Sequence, residues 1–144
     1  MDEISELYQE VILDHNKNPR NYGKPETYNH FAEGFNPLCG DRIEIYVNIE
    51  NNIVKDIKFE SKGCAISKSS ASIMTTLLKG KSLNEAQDIY NEFLKIIKEG
   101  RDISDIKYED LEVFCGVNDF PTRVKCATLG WHTFEDALKD KKDE

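Results

Sequence analysis

Hydrophobic positions along the chain switch between two periods, and the switch marks out the elements. Ile4, Leu7, Tyr8, Val11 and Ile12 recur at helical spacing, which predicts an amphipathic helix over Glu3 to His15, closed by the breaker Asn18-Pro19-Arg20-Asn21-Tyr22-Gly23. Thr27 to Phe35 carries a weak pattern compatible with a short edge strand. Then the period becomes two. Ile43, Ile45, Val47 and Ile49 alternate with Glu44, Tyr46, Asn48 and Glu50, and Ile53, Ile57 and Phe59 mark the inward face of a second strand. A two-residue loop at Asn51-Asn52 would set Val47 against Asp56. A three-residue loop, Glu50 to Asn52, sets Val47 against Lys55, Ile45 against Ile57 and Ile43 against Phe59. A one-residue slip turns every side chain over, so the odd loop is expected.

The helical period then returns. Cys64 leads into a helix from about Ala65 to Lys79, with Ser67 or a neighbour as cap and Ile66, Ile73, Met74, Leu77 and Leu78 as its apolar stripe. Gly80 suits its end. Ser82-Leu83-Asn84-Glu85 reads as a capping box for a helix to Glu99 that buries Ala86, Ile89, Tyr90, Phe93 and Ile97. Tyr108 to Phe114 fits a short helix. Pro121, capped by Asn118 or Asp119, opens a last helix whose seam is Val124, Ala127, Trp131, Phe134 and Leu138. With no repeat or linker in view, 1–144 reads as one domain, long enough for a substantial core.

Composition narrows the function. A net charge of −8, from 27 acidic and 19 basic residues, argues against a nucleic-acid groove, which needs a basic surface. No apolar run approaches the roughly 18 residues of a membrane span, and the acidic start Met1-Asp2-Glu3 lacks a signal-peptide core, so a cytoplasmic protein is expected. There, four cysteines point to metal binding or thiol chemistry rather than disulfides.

The chemistry concentrates in Asn36-Pro37-Leu38-Cys39-Gly40-Asp41. A thiol and a carboxylate two residues apart sit on a turn, where Gly40 tolerates positive φ and Pro37 restricts its neighbour. Cys64 follows a glycine at a strand-to-helix junction, where unpaired N–H groups and the helix dipole favour negative charge. Cys126 stands early in the last helix beside Arg123 and Lys125. We expect Cys39, Asp41, Cys64 and Cys126 to meet at one ion. Three soft sulfurs and one oxygen suit zinc or iron, with Arg123 and Lys125 offsetting the negative shell. No CxxC pair is present, so spacing alone does not specify a zinc finger. Cys115, behind Leu111, Val113 and Phe114, reads as a packed core thiol. The histidines are poor ligands: His132 lies about 240° around the helix from Cys126, His30 has no neighbour at metal spacing, and His15 fits a capping or partner-contact role.

These residues resemble the IscU/NifU N-terminal family of iron–sulfur assembly proteins, over nearly the whole chain. The resemblance rests on Leu7-Tyr8 through Asp14-His15, Asn18-Pro19-Arg20-Asn21, Asn36-Pro37 with Cys39-Gly40-Asp41, Gly63-Cys64-Ala65-Ile66-Ser67 with Ser70-Ala71-Ser72, and Lys79-Gly80-Lys81. Gly116-Val117, Phe120-Pro121, Arg123-Val124-Lys125-Cys126-Ala127, Leu129 and Trp131 resemble the SufU-type branch, as does the extra sequence around Gly100 to Val117. Lys125 also stands where IscU-type scaffolds have histidine. The resemblance implies an α+β fold, a small antiparallel sheet of about three strands packed on helices. It implies a zinc site of Cys39, Asp41, Cys64 and Cys126, and a SufS-type cysteine desulfurase partner that uses pyridoxal phosphate, alongside other Fe–S assembly proteins. Cys39 would accept persulfide sulfur as a sulfurtransferase. The alternative is a scaffold that builds an Fe–S cluster on the same ligands. A purely structural zinc domain is a third reading, and a zinc hydrolase fits least, since no Glu or His base adjoins the ligands.

Overall fold

A computed structural model describes residues 3–37, 40–100, 107–117 and 121–139. In chain order these form α1 (Glu3–Lys17), β1 (His30–Asn36), β2 (Asp41–Glu50), β3 (Ile53–Lys62), α2 (Ala65–Leu78), α3 (Leu83–Glu99), a 3₁₀ turn (Glu109–Phe114) and α4 (Pro121–Lys139). The weak pattern before the cysteine loop is a strand, β1. The expected capping residues Asn118 and Asp119 lie outside the described residues.

The three strands form an antiparallel meander in the order β1-β2-β3. Ile43, Ile45 and Val47 of β2 and Ile57 and Phe59 of β3 are fully buried on the face that α2 and α4 cover, whereas Ile53, expected with them, is exposed and the adjacent Val54 is buried. Gly34 admits α4 closely, because a Cβ there would overlap the Thr133 hydroxyl. On the opposite face Tyr28, Phe31 and Tyr46 pack their rings together at 5.0–6.2 Å. The outer edge of β3 is paired by the turn after α1: Phe59 N–H donates to Asn21 O, and Gly23 N–H to Phe59 O. That pairing removes an open sheet edge.

The hairpin corrects the expected register. The turn has two residues, Asn51 and Asn52, with φ of 54° and 62°, a left-handed pair that asparagine tolerates. Ile49 pairs with Val54, but beyond an irregularity at Asn48/Ile49 the ladder runs Val47 to Ile57 and Ile45 to Phe59. One extra residue on β3, a bulge, restores the apolar face that the two-residue turn would have inverted. The odd-length loop was the wrong device for the right constraint.

α2 is buried on more than its apolar stripe. Ser67, Ser69, Ser70, Ser72 and Thr75 are all buried with Ile73, Met74 and Leu78, whereas Ile66 and Leu77 are only half-buried. A central helix can bury hydroxyls when each finds a carbonyl or donor. Ser69 Oγ donates to Ile12 O of α1 and Ser70 Oγ to Ala127 O of α4, both at 2.6 Å. Trp131 Nε1–H donates back to Ser70 Oγ at 3.0 Å, and its indole stacks on Phe93, with ring centroids 4.1 Å apart. α3 starts as expected, Ser82 Oγ accepting from Glu85 N, and buries Ala86, Ile89, Phe93 and Ile97; Tyr90 is half-buried and Ile96 takes the remaining core position.

The Asn18-to-Gly23 breaker is also a lock. Arg20 N–H donates to Ser72 Oγ at 2.8 Å, and the Arg20 guanidinium pairs with Asp14 at 2.7 Å. Asn21, at φ 56°, donates through Nδ2 to Thr75 Oγ1. His15 Nδ1 lies 2.7 Å from Ser72 Oγ, so this ring fastens α1 to α2 within the fold rather than capping a helix.

Candidate metal centre

One end of the sheet gathers the candidate residues because of strand register. Asn36 ends β1 opposite Asp41, the first residue of β2, and Arg42 lies opposite Lys62, near the end of β3. Just before β2, Gly40 stands at φ +73° and its N–H donates to Asn36 O at 2.8 Å. Beyond β3, Gly63 at φ +135° leads into Cys64. A Cβ on Gly63 would overlap the Asp41 carboxylate, so glycine is required twice, by conformation and by contact.

Cys64, not Ser67, is the N-cap of α2. Its sulfur accepts from Ser67 N–H at 3.5 Å, in the place that a serine or aspartate oxygen usually takes. The Cys64 backbone N–H donates to Asp41 Oδ1 at 2.7 Å, and the Cys64 thiol to Asp41 Oδ2 at 3.4 Å. Cys126 arrives from the second turn of α4, 5% exposed, and Asn36 Nδ2 approaches its sulfur at 3.9 Å.

The Asp41 carboxylate and the sulfurs of Cys64 and Cys126 lie within 4.8 Å of one another. In a tetrahedron of zinc–sulfur bonds of about 2.3 Å the donors stand about 3.8 Å apart, so these three are close enough to be gathered by one ion. Asp41 is fully buried and Cys64 half-buried. Such a group of two soft sulfurs and one oxygen, shielded from water, fits zinc or iron. Oδ1 is held by the Cys64 N–H, and Oδ2 faces the Cys64 thiol. Cys39 lies outside the described residues.

The remaining expectations divide. Arg123 and Lys125 are exposed on the first turns of α4, flanking the buried Cys126. Cys115 is half-buried against the core and is not in the three-residue cluster. His132 faces away, its Nδ1 2.9 Å from Tyr90 OH, and His30 is buried with Nδ1 2.9 Å from Ala137 O. Two residues without an expected role belong to the site. Asn36 was visible only as part of the cysteine loop, and Gly63 only as the residue before Cys64; the sulfur and the carboxylate they serve come from elsewhere in the sequence.

The NifU-like N-terminal domain family model matches residues 7–143. The chain is 42% identical over 133 residues to the zinc-dependent sulfurtransferase SufU of Bacillus subtilis strain 168, covering 92% of this chain and 89% of that one. It is 35% identical to the iron–sulfur cluster assembly scaffold protein IscU of Thermotoga maritima, covering 92% and 93%. The crystal structure of a putative iron–sulfur cluster assembly scaffold protein for the SUF system from Fervidobacterium islandicum superposes with a TM-score of 0.81 at 32% identity, over 92% of this chain and 97% of that one. A meander with a Cys/Asp centre at one end, and relatives matched over nearly their full length, place this chain in the NifU-like N-terminal domain family of iron–sulfur cluster assembly proteins.

Proposed function

We propose that this protein is a zinc-dependent sulfurtransferase of iron–sulfur cluster assembly, with Cys39 as the sulfur acceptor and Cys39, Asp41, Cys64 and Cys126 as the metal ligands. The observation that carries the reading is the convergence of Asp41, Cys64 and Cys126. The Bacillus subtilis relative supports the choice of zinc. The donor is a SufS-type cysteine desulfurase, and the setting is the cytoplasm; no helix among the described residues is long and apolar enough to cross a membrane.

The transfer is a thiol exchange. The Cys39 thiolate attacks the outer sulfur of the donor's persulfide, the donor S–S bond breaks, and the donor cysteine leaves as thiolate. Cys39 then carries the persulfide, and no external oxidant or reductant is consumed. Bound zinc supplies Lewis acidity that keeps its thiol ligands deprotonated. Asp41, oriented by the Cys64 N–H, would hold the ion together with Cys64 and Cys126. Arg123 and Lys125 offset the negative charge of the shell. Replacing Cys39 with alanine should abolish stimulation of the desulfurase while the folded protein persists. Full stimulation by that variant would reject the role.

The second reading, a scaffold that assembles an Fe–S cluster on the same ligands, is favoured by the relatedness to the Thermotoga maritima protein. Sulfur and carboxylate donors accept either metal. Visible absorption after anaerobic reconstitution, set against zinc content as purified, separates the two.

A further inference from the structure

The outer face of the sheet, opposite the one that α2 and α4 cover, sorts its charges into rows. Register sets Phe35, Arg42 and Lys62 side by side across β1, β2 and β3. The next row is Glu33, Glu44 and Glu60, and the one after it Phe31, Tyr46 and Lys58. The chain itself closes that last row, for Tyr28 and Phe31 pack on Tyr46, which is 4% exposed. The other two rows are open. Glu33, Arg42 and Lys62 are exposed, and Phe35 is 62% exposed.

Such rows work against the sheet that carries them. Like charges directly opposite on neighbouring strands are destabilising, yet Glu33 faces Glu44, Glu44 faces Glu60 and Arg42 faces Lys62. Exchanging residues 60 and 62 would make both β2–β3 pairs attractive. Arg42 finds relief diagonally, its guanidinium 2.7 Å from Glu33 Oε2. Among the described residues Glu44, Glu60 and Lys62 form no ion pair. A local rule broken without compensation inside the fold marks a surface shaped by something that binds it.

The order of the rows says what binds. Glu33, Glu44 and Glu60 are balanced by Arg42, Lys58 and Lys62, in a chain whose net charge is −8. The face therefore does not fit a uniformly basic partner. It fits a surface with the same two rows in reverse order. The face itself is that surface, once turned about a two-fold axis that runs along the rows and between them. Arg42 of one copy then stands over Glu44 of the other, and Lys62 over Glu60, and the axis repeats both pairs. Packed sheets lie about 10 Å apart, a gap that long cationic and acidic side chains span from its two sides.

We infer that the outer face of the sheet is the docking site for a second copy of this chain, joined by two-fold-related Arg42–Glu44 and Lys62–Glu60 pairs. The inference goes beyond sulfur transfer and does not depend on the metal centre. Size sets the strength. β2 has ten residues, and three strands about 4.8 Å apart give a face of roughly 500 Å², under the about 800 Å² per partner of a standard stable interface. The dimer is weak, sensitive to salt and populated at high concentration.

The test measures the average mass of the full-length chain by sedimentation equilibrium in reducing buffer, at concentrations up to about 1 mM. Wild type should dimerise at low ionic strength and dissociate in about 1 M salt, where screening acts within about 3 Å. Lys62→Glu and Glu60→Lys each set like charges across the two-fold, so each variant alone should associate about 10-fold more weakly or less. Their equimolar mixture restores opposite charges at both positions and should associate as wild type does. Within one chain the same substitutions set opposite charges across β2 and β3, so in dilute solution neither variant should unfold earlier than wild type. A variant that unfolds earlier would show the rows to be satisfied inside the fold and overturn the inference. So would single variants that associate as wild type does, which would place the contact on another surface, or a mixture that stays monomeric. A wild type that is monomeric throughout would leave the face to a different partner and overturn it as well.

Discussion

The backbone N–H of Cys64 donates to Asp41 Oδ1 at 2.7 Å while the thiol of the same residue lies 3.4 Å from Oδ2. One cysteine therefore fixes the carboxylate through its main chain and shares the centre with it through its side chain. The contact joins the first residue of β2 to the N-cap of α2, so the start of the helix and the orientation of the ligand are a single structural event.

This separates two roles of Asp41. Asp41→Asn keeps a carbonyl oxygen able to accept from Cys64 N–H, so α2 should still begin at Cys64 and circular dichroism should be unchanged. Metal affinity, measured by chelator competition, should fall by more than the roughly 10–100-fold that loss of an outer-shell partner costs.

Gly63→Ala should damage the centre through the backbone. At φ +135° an L side chain is strained by about 1–3 kcal/mol, and the added Cβ would displace the Asp41 carboxylate. Thermal denaturation should report the strain, and metal analysis a substoichiometric ion. A fully loaded variant of wild-type stability would contradict the contact.

Ser70→Ala probes the core behind the site. Its hydroxyl donates to Ala127 O and accepts from Trp131 Nε1–H, so alanine leaves a buried indole N–H unpaired, at a cost of about 1–3 kcal/mol. Trp131 is the only tryptophan in the sequence, and its fluorescence should report an earlier denaturation midpoint.

His15 predicts a pH dependence. Burial holds the ring below its ordinary range; the nearby Arg20 charge adds to this, while Asp14 and Asp110 oppose it. The unfolded chain, near the ordinary value of 6.5, then binds a proton more readily than the folded one. The neutral ring's contribution is complete above 6.5 and is lost as pH falls through 6.5 towards the lower folded value. Between about pH 7.5 and about pH 5.5 wild type should therefore lose more stability than His15→Gln, as read by denaturant titration at each pH. Equal losses would remove the assignment.

Local chemistry made several elements legible in advance. Ser82 with Glu85 marked the start of α3, Pro121 the start of α4, and the period of two in Ile43, Ile45 and Val47 the inner face of β2, because each signal acts within a turn or a strand pair. The hairpin shows the limit. Parity demanded an apolar face, but a bulge on β3 and a two-residue asparagine turn meet that demand as well as a longer loop does, and periodicity does not distinguish them. For α2, hydropathy marked the Ile and Leu stripe; its serines are buried because Ile12, Ala127, Arg20 and Trp131, far away in sequence, supply their partners.

The sequence by itself determined the donor types: sulfur and carboxylate on turn-forming and helix-starting residues. Only the tertiary structure decided that Asp41, Cys64 and Cys126 share one point and that Cys115 does not. Coordination is a matter of ångströms, and those distances follow from the register that sets Asn36 against Asp41 and from the packing of α4 on α2, neither of which is encoded in any one segment.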